Sequence, residues 1–433
     1  MEYLALNGGS GQGIAIADMN GNGSKDLVIT TDTDGAIHTF LNNGNGTFAN
    51  SIRHYTGALP RGLTVVDLNT DNIPDVAVAC SDSDLVRTHI NQGNATFETY
   101  PFFATGSNPG NLEAADANGD GYKDLLISRF NNTQVMFGMA GSTFGAPIDL
   151  PINATRAIWV DIDQDADVDV VATQVFNDHV YVLLNNGFGA FSAPTTYIMF
   201  EGPDAIAAAD INGDGRMDIV TGNVSTDDVG VFINQGFGVL AAPVVYPAGN
   251  GPEGVILADL NGDGALDMAV NSLVSDNVQV LLGVGNGAFL PANSYPVGDA
   301  PYHIAAGDLN GDGTVDLATS NANSRSVSFL YNPGNAIFPP AVNYPLGVGP
   351  GFMRAADVDI DGDMDIVAHV DAADILLLEN QGGGAFARKH FAAMGGGSGM
   401  VLSDINADGR LDVVSTNNAP TDGVSHRLNI CLP

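Results

Sequence analysis

The nine residues 308–316, DLNGDGTVD, decide the fold of this chain, because the same pattern occurs nine times along its 433 residues. The copies start 45 to 49 residues apart, and a period this regular is typical of repeat proteins. We number the copies loops one to nine. They are 18–26 DMNGNGSKD, 67–75 DLNTDNIPD, 116–124 DANGDGYKD, 161–169 DIDQDADVD, 210–218 DINGDGRMD, 259–267 DLNGDGALD, 308–316 DLNGDGTVD, 357–365 DVDIDGDMD and 404–412 DINADGRLD.

Each loop lies between segments that have the composition of short β-strands. In the fifth repeat, 205–209 AIAAA precedes the loop, and an alternating strand, 229–233 VGVFI, follows a polar turn. A Gly-rich turn such as 42–48 NNGNGTF then leads to a fourth strand with a recurring aromatic residue. No segment shows a helical period. Four antiparallel strands in about 49 residues is the size of a propeller blade.

We therefore predict an all-β fold, a nine-bladed β-propeller with four-stranded antiparallel blades that occupies residues 1–433 as a single domain. Eight blades with one repeat displaced is the alternative. The last repeat has only three strands, ending at 427–430 RLNI, whereas a strand-like segment, 2–6 EYLAL, precedes the first repeat. We expect this N-terminal strand to dock on the last blade, cover its edge and close the ring.

Positions 1, 3, 5 and 9 of every loop are Asp or Asn, which indicates cation binding. Calcium takes six to eight oxygen ligands, and acids at alternate positions of a tight loop direct their oxygens toward one point. Position 6 is Gly in most loops, which suits a turn with positive φ. We predict up to nine calcium ions, bound by Asp18, Asn20, Asn22, Asp26, Asp67, Asn69, Asp71, Asp75, Asp116, Asn118, Asp120, Asp124, Asp161, Asp163, Asp165, Asp169, Asp210, Asn212, Asp214, Asp218, Asp259, Asn261, Asp263, Asp267, Asp308, Asn310, Asp312, Asp316, Asp357, Asp359, Asp361, Asp365, Asp404, Asn406, Asp408 and Asp412.

The nine loops differ in their charge. Loop one has two acids among its four ligand positions, whereas loops four and eight have four each. Loop four has Ala166 where Gly is usual, and a left-handed Ala costs about 1–2 kcal/mol. We expect loop one to be the weakest calcium site.

The composition excludes several classes of partner. The formal charge is −36, from 50 acids against 14 bases, so phosphate backbones would be repelled and we expect no nucleic-acid partner. No apolar run approaches the roughly 18–20 residues that span a bilayer, so we expect no membrane insertion. Cys80 and Cys431 are too few for a disulfide framework, and we expect two buried free thiols. We also expect a monomer.

The residues that differ most between repeats precede or begin the first strand. We predict that Arg61, Arg156, Tyr302, His303 and Arg354 form a ligand surface, because propeller geometry gathers these segments on one face or near the central channel and loops carry function disproportionately. The chain contains no H-E-x-x-H, G-x-S-x-G or C-x-x-C motif. We assign no catalytic residue.

The loop pattern D-x-N-G-D-G-x-x-D, with G-x-x-P upstream at 298–301 and N-G-x-G-x-F downstream, resembles the FG-GAP/VCBS repeat family across essentially the whole chain. Integrin α-subunit head domains are similar, with fewer blades. The resemblance implies a propeller fold, calcium binding by loop positions 1, 3, 5 and 9, and a backbone carbonyl ligand at position 7. Family members include adhesion proteins, lectins and domains attached to secreted enzymes.

These observations predict a calcium-stabilised extracellular, cell-surface or periplasmic propeller. We expect it to act as a non-catalytic ligand-binding or adhesion module for a carbohydrate or a surface protein. Two alternatives stay open. One is a secreted polysaccharide-degrading enzyme, either a lyase or a hydrolase. The other is a purely structural module of a larger surface protein.

Overall fold

The computed structural model describes residues 2–5, 11–45, 47–99, 102–105, 109–129, 132–140, 143–199, 202–223, 225–370, 374–391, 400–404, 411–417 and 423–427. Within these residues the chain is all-β, with 39 strands, one 3₁₀ turn at Ser81–Ser83 and no α-helix. No described element is a helix with the length and hydrophobicity that a membrane span requires.

The strands form nine antiparallel sheets of four or five strands, which follow one another along the chain, and one two-stranded ribbon. β1 (Glu2–Ala5) precedes the first sheet. The first three sheets are β2 (Gly11–Ala17), β3 (Asp26–Thr31), β4 (Ala36–Phe40) and β5 (Ile52–Tyr55); β6 (Pro60–Val66), β7 (Asp75–Cys80), β8 (Leu85–Asn91), β9 (Phe97–Thr99) and β10 (Phe103–Ala104); and β11 (Pro109–Ala115), β12 (Asp124–Arg129), β13 (Asn132–Met136) and β16 (Ile148–Leu150), with β14 (Gly138–Met139) and β15 (Thr143–Phe144) as a separate two-stranded ribbon.

The next three sheets repeat the four-stranded order without interruption. They are β17 (Arg156–Val160), β18 (Asp169–Gln174), β19 (His179–Leu183) and β20 (Thr195–Ile198); β21 (Pro203–Ala209), β22 (Asp218–Asn223), β23 (Asp228–Phe232) and β24 (Val244–Pro247); and β25 (Pro252–Ala258), β26 (Asp267–Ser272), β27 (Asn277–Leu281) and β28 (Asn293–Pro296).

The last sheet draws its strands from both ends of the chain, because β1 pairs antiparallel with β39. The last three sheets are β29 (Pro301–Gly307), β30 (Asp316–Asn321), β31 (Ser326–Leu330) and β32 (Val342–Pro345); β33 (Pro350–Ala356), β34 (Asp365–Val370), β35 (Asp374–Asn380) and β36 (Phe386–Phe391); and β37 (Met400–Ser403), β38 (Asp412–Asn417), β39 (Gly423–Arg427) and β1.

Most neighbouring sheets contact each other through their first strands. β2 contacts β6, β6 contacts β11, and the same relation joins β25 to β29 and β29 to β33. β2 also contacts β37 and β38, so the first sheet meets the last. This is the architecture of a β-propeller, in which small residues in the first strands allow the sheets to converge.

The hydrophobic core lies between the sheets. All six residues of β7 are buried, and the same holds for β18, β26 and β30. Between the fourth and fifth sheets, Val171 and Val180 pack with the fully buried ring of Phe232. Cys80 is a buried free thiol, and Cys431 lies outside the described residues.

Candidate metal centres and ligand surface

Each of the eight fully described loops ends in a buried carboxylate that is held by two backbone N–H groups. Asp75, at position 9 of loop two, is fully buried; its Oδ2 accepts the N–H of Leu68 at 2.9 Å and its Oδ1 that of Asn91 at 2.8 Å. One N–H group belongs to the residue after position 1 of the loop. The other belongs to the residue where the third strand passes into the following turn. The arrangement recurs in all eight loops that the structure describes in full, at Asp26, Asp75, Asp124, Asp169, Asp218, Asp267, Asp316 and Asp365.

Burial makes these position-9 carboxyls weaker acids. It raises the pKa of Asp75 to about 7, with a smaller contribution from neighbouring carboxylates, while the two backbone N–H bonds oppose the shift. A cation in the loop would favour the charged form instead. Burial likewise raises the pKa to about 6 at Asp124, Asp169, Asp316 and Asp365, and raises it at Asp26, Asp218 and Asp267.

The side chains at the other ligand positions accept hydrogen bonds from backbone N–H groups of their own loop. In loop five, Asp210 accepts the N–H of Gly213 through Oδ1 and that of Gly215 through Oδ2, both at 2.8 Å. Asn212 Oδ1 accepts the N–H of Asp214 at 3.0 Å. Such side-chain-to-backbone bonds are typical of Asp and Asn in turns, and they draw positions 1, 3 and 5 toward the centre of the loop.

Two positions of each fully described loop have a left-handed backbone. Position 6 was predicted to do so, and Ala166 indeed has a φ of 75°. Position 4 is the second, with Gly at this place in several loops but Ile360 in loop eight at a φ of 64°. A β-branched residue at positive φ is a strained exception. The repeated N-G-D-G sequence of the loops places Gly at both positions, and this pattern indicates the left-handed backbone.

Carboxylates converge most closely in loops four and eight, the two with four acids. Oxygens of Asp161, Asp163 and Asp169 all lie within 4.8 Å of one another, and so do oxygens from the group Asp357, Asp359 and Asp361. Burial and, next, the neighbouring carboxylate raise the pKa of Asp163 and of Asp359. Three carboxylates at this spacing fit calcium, which prefers hard oxygen ligands. Asn406 and Asp408 of loop nine lie outside the described residues.

A recurring asparagine, which the sequence did not single out, joins neighbouring loops. Asn234 begins the turn after the third strand of the fifth repeat. Its Nδ2 donates to the carbonyl of Ile162 in loop four at 2.7 Å and to that of Met217 in loop five at 3.1 Å. The same two-way contact is made by Asn91, Asn185, Asn332 and Asn380. In the sequence, this residue is recognisable as the Asn at the start of these Gly-rich turns.

The sixth repeat has Gly283 in place of this asparagine. A cavity of about 580 Å³ lies between loops five and six, and Ile211, Gly283 and Leu290 are among the residues that line it. Gly283 has no side-chain amide, so it cannot make the asparagine bond to loop five.

Three of the five predicted ligand residues lie on adjacent first strands. Tyr302 and His303 begin β29, and Arg354 lies on β33. The Phe352 ring connects the strands: its centroid is 4.5 Å from that of His303 and 5.0 Å from Arg354 Cζ. Burial and the Arg354 charge lower the pKa of His303, whose buried Nδ1 has no hydrogen-bond partner. Tyr302 is half exposed.

The other two predicted ligand residues lie elsewhere on the propeller. Arg61 is the second residue of β6 and Arg156 the first of β17, so they belong to the second and fourth sheets. Both are exposed. The structure thus brings together His303 and Arg354 through Phe352, on the seventh and eighth sheets. Tyr302 precedes His303 on β29, and Arg61 and Arg156 lie on other sheets.

A family assignment follows from the repeated loops and sheets. The FG-GAP-like repeat profile matches residues 18–78, 67–127, 161–221, 210–270, 271–319 and 357–415. These segments cover more than half of the chain. The chain belongs to the FG-GAP-like repeat family. No curated protein matches it by sequence.

Several solved structures are similar to this FG-GAP-like chain at low sequence identity. The Vibrio cholerae biofilm matrix protein Bap1 is 13% identical over 96% of this chain and 87% of its own, with a TM-score of 0.51. An Agrocybe aegerita lectin that recognises non-reducing terminal N-acetylglucosamine is 18% identical over 80% and 94%, with a TM-score of 0.43. Virginiamycin B lyase from Staphylococcus aureus is 12% identical over 77% and 95%, with a TM-score of 0.40.

Proposed function

We propose that this FG-GAP-like chain is a calcium-stabilised, nine-bladed propeller that acts outside the cytosol as a non-catalytic module binding a carbohydrate or a surface protein. The observation that carries the ligand-binding part is the cluster of His303, Phe352 and Arg354, with the half-exposed Tyr302 preceding His303 in the chain. Flat rings beside hydrogen-bond donors suit a sugar, which has apolar faces and a polar rim.

Calcium would act as a structural ion in these loops. Side-chain oxygens at positions 1, 3, 5 and 9 and a backbone carbonyl at position 7 would hold it. The closely spaced carboxylates of loops four and eight support this role, because such groups repel each other unless a cation neutralises them. The asparagine contacts between successive loops would then transmit the order of each loop to its neighbour.

The nine-bladed closed ring is supported from both ends of the chain. The nine sheets follow the nine repeats, and β1 supplies the outer strand that the last repeat lacks. Contact of β2 with β37 and β38 favours closure without a tenth element.

A neutral histidine beside an arginine and a tyrosine could also serve an acid–base enzyme, which keeps the lyase or hydrolase as the second candidate. The pKa of His303 is lowered by burial and by Arg354, so its imidazole is neutral at physiological pH. Non-catalytic binding is preferred, because the same burial leaves His303 Nδ1 without access to solvent.

One screen tests both candidates. The purified protein is applied to an array of neutral and acidic glycans in calcium and in chelator, and the glycans are then assayed for cleavage. We expect binding without cleavage, with binding of neutral glycans lost in Arg354→Ala but kept in Arg388→Ala, which removes an exposed arginine from the outer strand of the same sheet. Release of reducing or unsaturated ends that is abolished in His303→Ala would establish the enzyme instead.

A further inference from the structure

A second cluster of aromatic and basic side chains lies at the outer edge of the first and second sheets. Arg87 Cζ is 5.7 Å from the ring centroid of Tyr55 and 5.9 Å from that of Phe102. Both rings are more than half exposed, at 55% and 58%. The guanidinium therefore lies next to two flat apolar surfaces that solvent can reach.

The guanidinium is fixed in place by a rigid stretch of backbone. Arg87 Nε donates to the carbonyl of Thr56 at 2.6 Å. The N–H of Thr56 in turn donates to Gly35 O at 2.8 Å, and its hydroxyl lies 3.6 Å from the buried Cys80 Sγ. Among the described residues, no acid pairs with Arg87, although the chain has 50 acids against 14 bases. Its terminal nitrogens remain available as a fork of donors.

Among the described repeats, only the second has an arginine at this place. Arg87 pairs with Val78 in the sheet, and the residues at the equivalent place in the other described sheets are His38, Gln134, Tyr181, Gly230, Gln279, Ser328, Leu376 and Ser425. A feature that stabilises the fold would recur with the repeat, as the loops do. A feature found once is expected of a specific site.

The pairing register between β8 and its outer partners also changes by one residue at this place. β9 pairs with β8 as far as His89, and β10 pairs with it from Val86, so Arg87 lies between the two partners. A register change of this kind is typical of a β-bulge, which re-aims side chains and is over-represented next to functional sites. Phe102 immediately precedes β10.

We infer that Arg87, Tyr55 and Phe102 form a binding site for a single carboxylate-bearing sugar, such as a hexuronic acid. The guanidinium fork matches a carboxylate bidentately, and the two rings would pack against the pyranose. The formal charge of −36 opposes polyanions at long range, which favours one acidic residue of a glycan as the ligand over a highly charged polymer. The site shares its ligand class with the proposed function but does not require the Arg354 cluster.

The test uses glucuronic acid, its methyl ester and glucose as probes, titrated into the full chain in calcium and about 150 mM salt to screen the repulsion of the acidic protein. We expect glucuronic acid to bind at least tenfold more tightly than the ester or glucose. Binding should be lost in Arg87→Ala and weakened several-fold in Arg87→Lys, because an ammonium cannot form the bidentate pair. Arg388→Ala is the matched control and should bind normally.

Since Arg87→Ala also removes the bond to Thr56, the exposed-ring variants Tyr55→Ala and Phe102→Ala provide a second test that leaves this anchor intact. Each should weaken glucuronic acid binding while the melting temperature stays within a few degrees of the parent. Equal binding of glucose, or unchanged affinity in these variants, would overturn the inference. Tighter binding of N-acetylphenylalanine than of glucuronic acid would replace the sugar with a peptide carboxyl terminus.

Glucuronic acid binding by the Arg354→Ala variant distinguishes the Arg87 site from the Arg354 cluster. Retained glucuronic acid binding in this variant supports the Arg87 site, whatever the fate of the Arg354 cluster. Loss of glucuronic acid binding in Arg354→Ala, with none in Arg87→Ala, would assign the acidic sugar to the Arg354 cluster and contradict the inference.

Discussion

The side-chain amide of Asn234 donates to the backbone carbonyl of Ile162, 2.7 Å away and 72 residues earlier in the chain. The bond joins the Gly-rich turn of the fifth repeat to the metal loop of the fourth. Since the same amide also donates to Met217 O, one buried side chain holds two successive loops together. The repeats are thus connected at the face that carries the acidic loops as well as by the core between their sheets.

Asn234→Ala is expected to lower the free energy of unfolding by about 2 kcal/mol, because two carbonyls would lose a buried hydrogen-bond donor. Chemical denaturation in calcium measures the effect. Asn286→Ala changes an exposed asparagine in the equivalent turn of the sixth repeat and serves as the control. Equal stability of the two variants would show that the loop-to-loop bond contributes nothing.

Ile360→Gly is expected to stabilise the protein by about 1 kcal/mol. The wild-type side chain is 56% exposed and its backbone has a φ of 64°, so the change relieves left-handed strain and removes little buried surface. Thermal melts of the variant and of Ile337→Gly, an exposed isoleucine in a nearby turn without positive φ, provide the comparison. A decrease in stability at Ile360 as large as at Ile337 would argue against strain in loop eight.

His89 should make the second sheet sensitive to acid. It is fully buried, its ring nitrogens have no hydrogen-bond partner, and burial together with His54 and Arg87 lowers its pKa to about 3. The folded state keeps it neutral, whereas the unfolded chain binds a proton below about pH 6.5. The neutral His89 therefore has no pH-dependent effect on stability above about pH 6.5. Below it, the free energy of unfolding falls progressively as the pH approaches 3, by about 2 kcal/mol at pH 5.

His89→Leu tests this contribution through the difference from the parent protein at two pH values. We expect the variant to gain about 2 kcal/mol relative to the parent when the pH is lowered from 7.5 to 5. His38 and His54, whose pKa values are also lowered chiefly by burial, remain in both proteins and cancel in the comparison. A difference that does not change with pH would mean that His89 takes up a proton as readily in the folded state as in the unfolded chain.

Deleting residues 1–8 should expose the edge of β39, because β1 pairs with it from Glu2 to Ala5. We expect a lower melting temperature or association through the free edge. Adding a synthetic peptide of residues 1–8 should reverse the effect, whereas a scrambled peptide should not. An equally stable, monomeric truncated protein would contradict closure by the N-terminal strand.

The sequence could predict those features that recur with its own period. The strand order, the loops and the left-handed position 6 all follow from local patterns such as 308–316, and the family assignment confirms the resemblance. Contacts between repeats could not be read in this way, because the partner of Asn234 lies 72 residues away and depends on how two sheets pack. For the same reason the sequence placed Arg61 and Arg156 with Tyr302, and did not connect Arg87 with Tyr55 and Phe102.

Calcium stabilisation is the central claim, and calorimetric melting with and without the ion tests it most directly. Extracellular calcium sites commonly have dissociation constants of about 0.1–1 mM, and each site at tenfold excess contributes about 1.4 kcal/mol. We expect chelation to lower the melting temperature by many degrees, calcium at about 5 mM to restore it and magnesium to restore it poorly, with loop one binding most weakly. An identical melting temperature in chelator and in calcium, with no ion bound by the folded chain, would contradict the account.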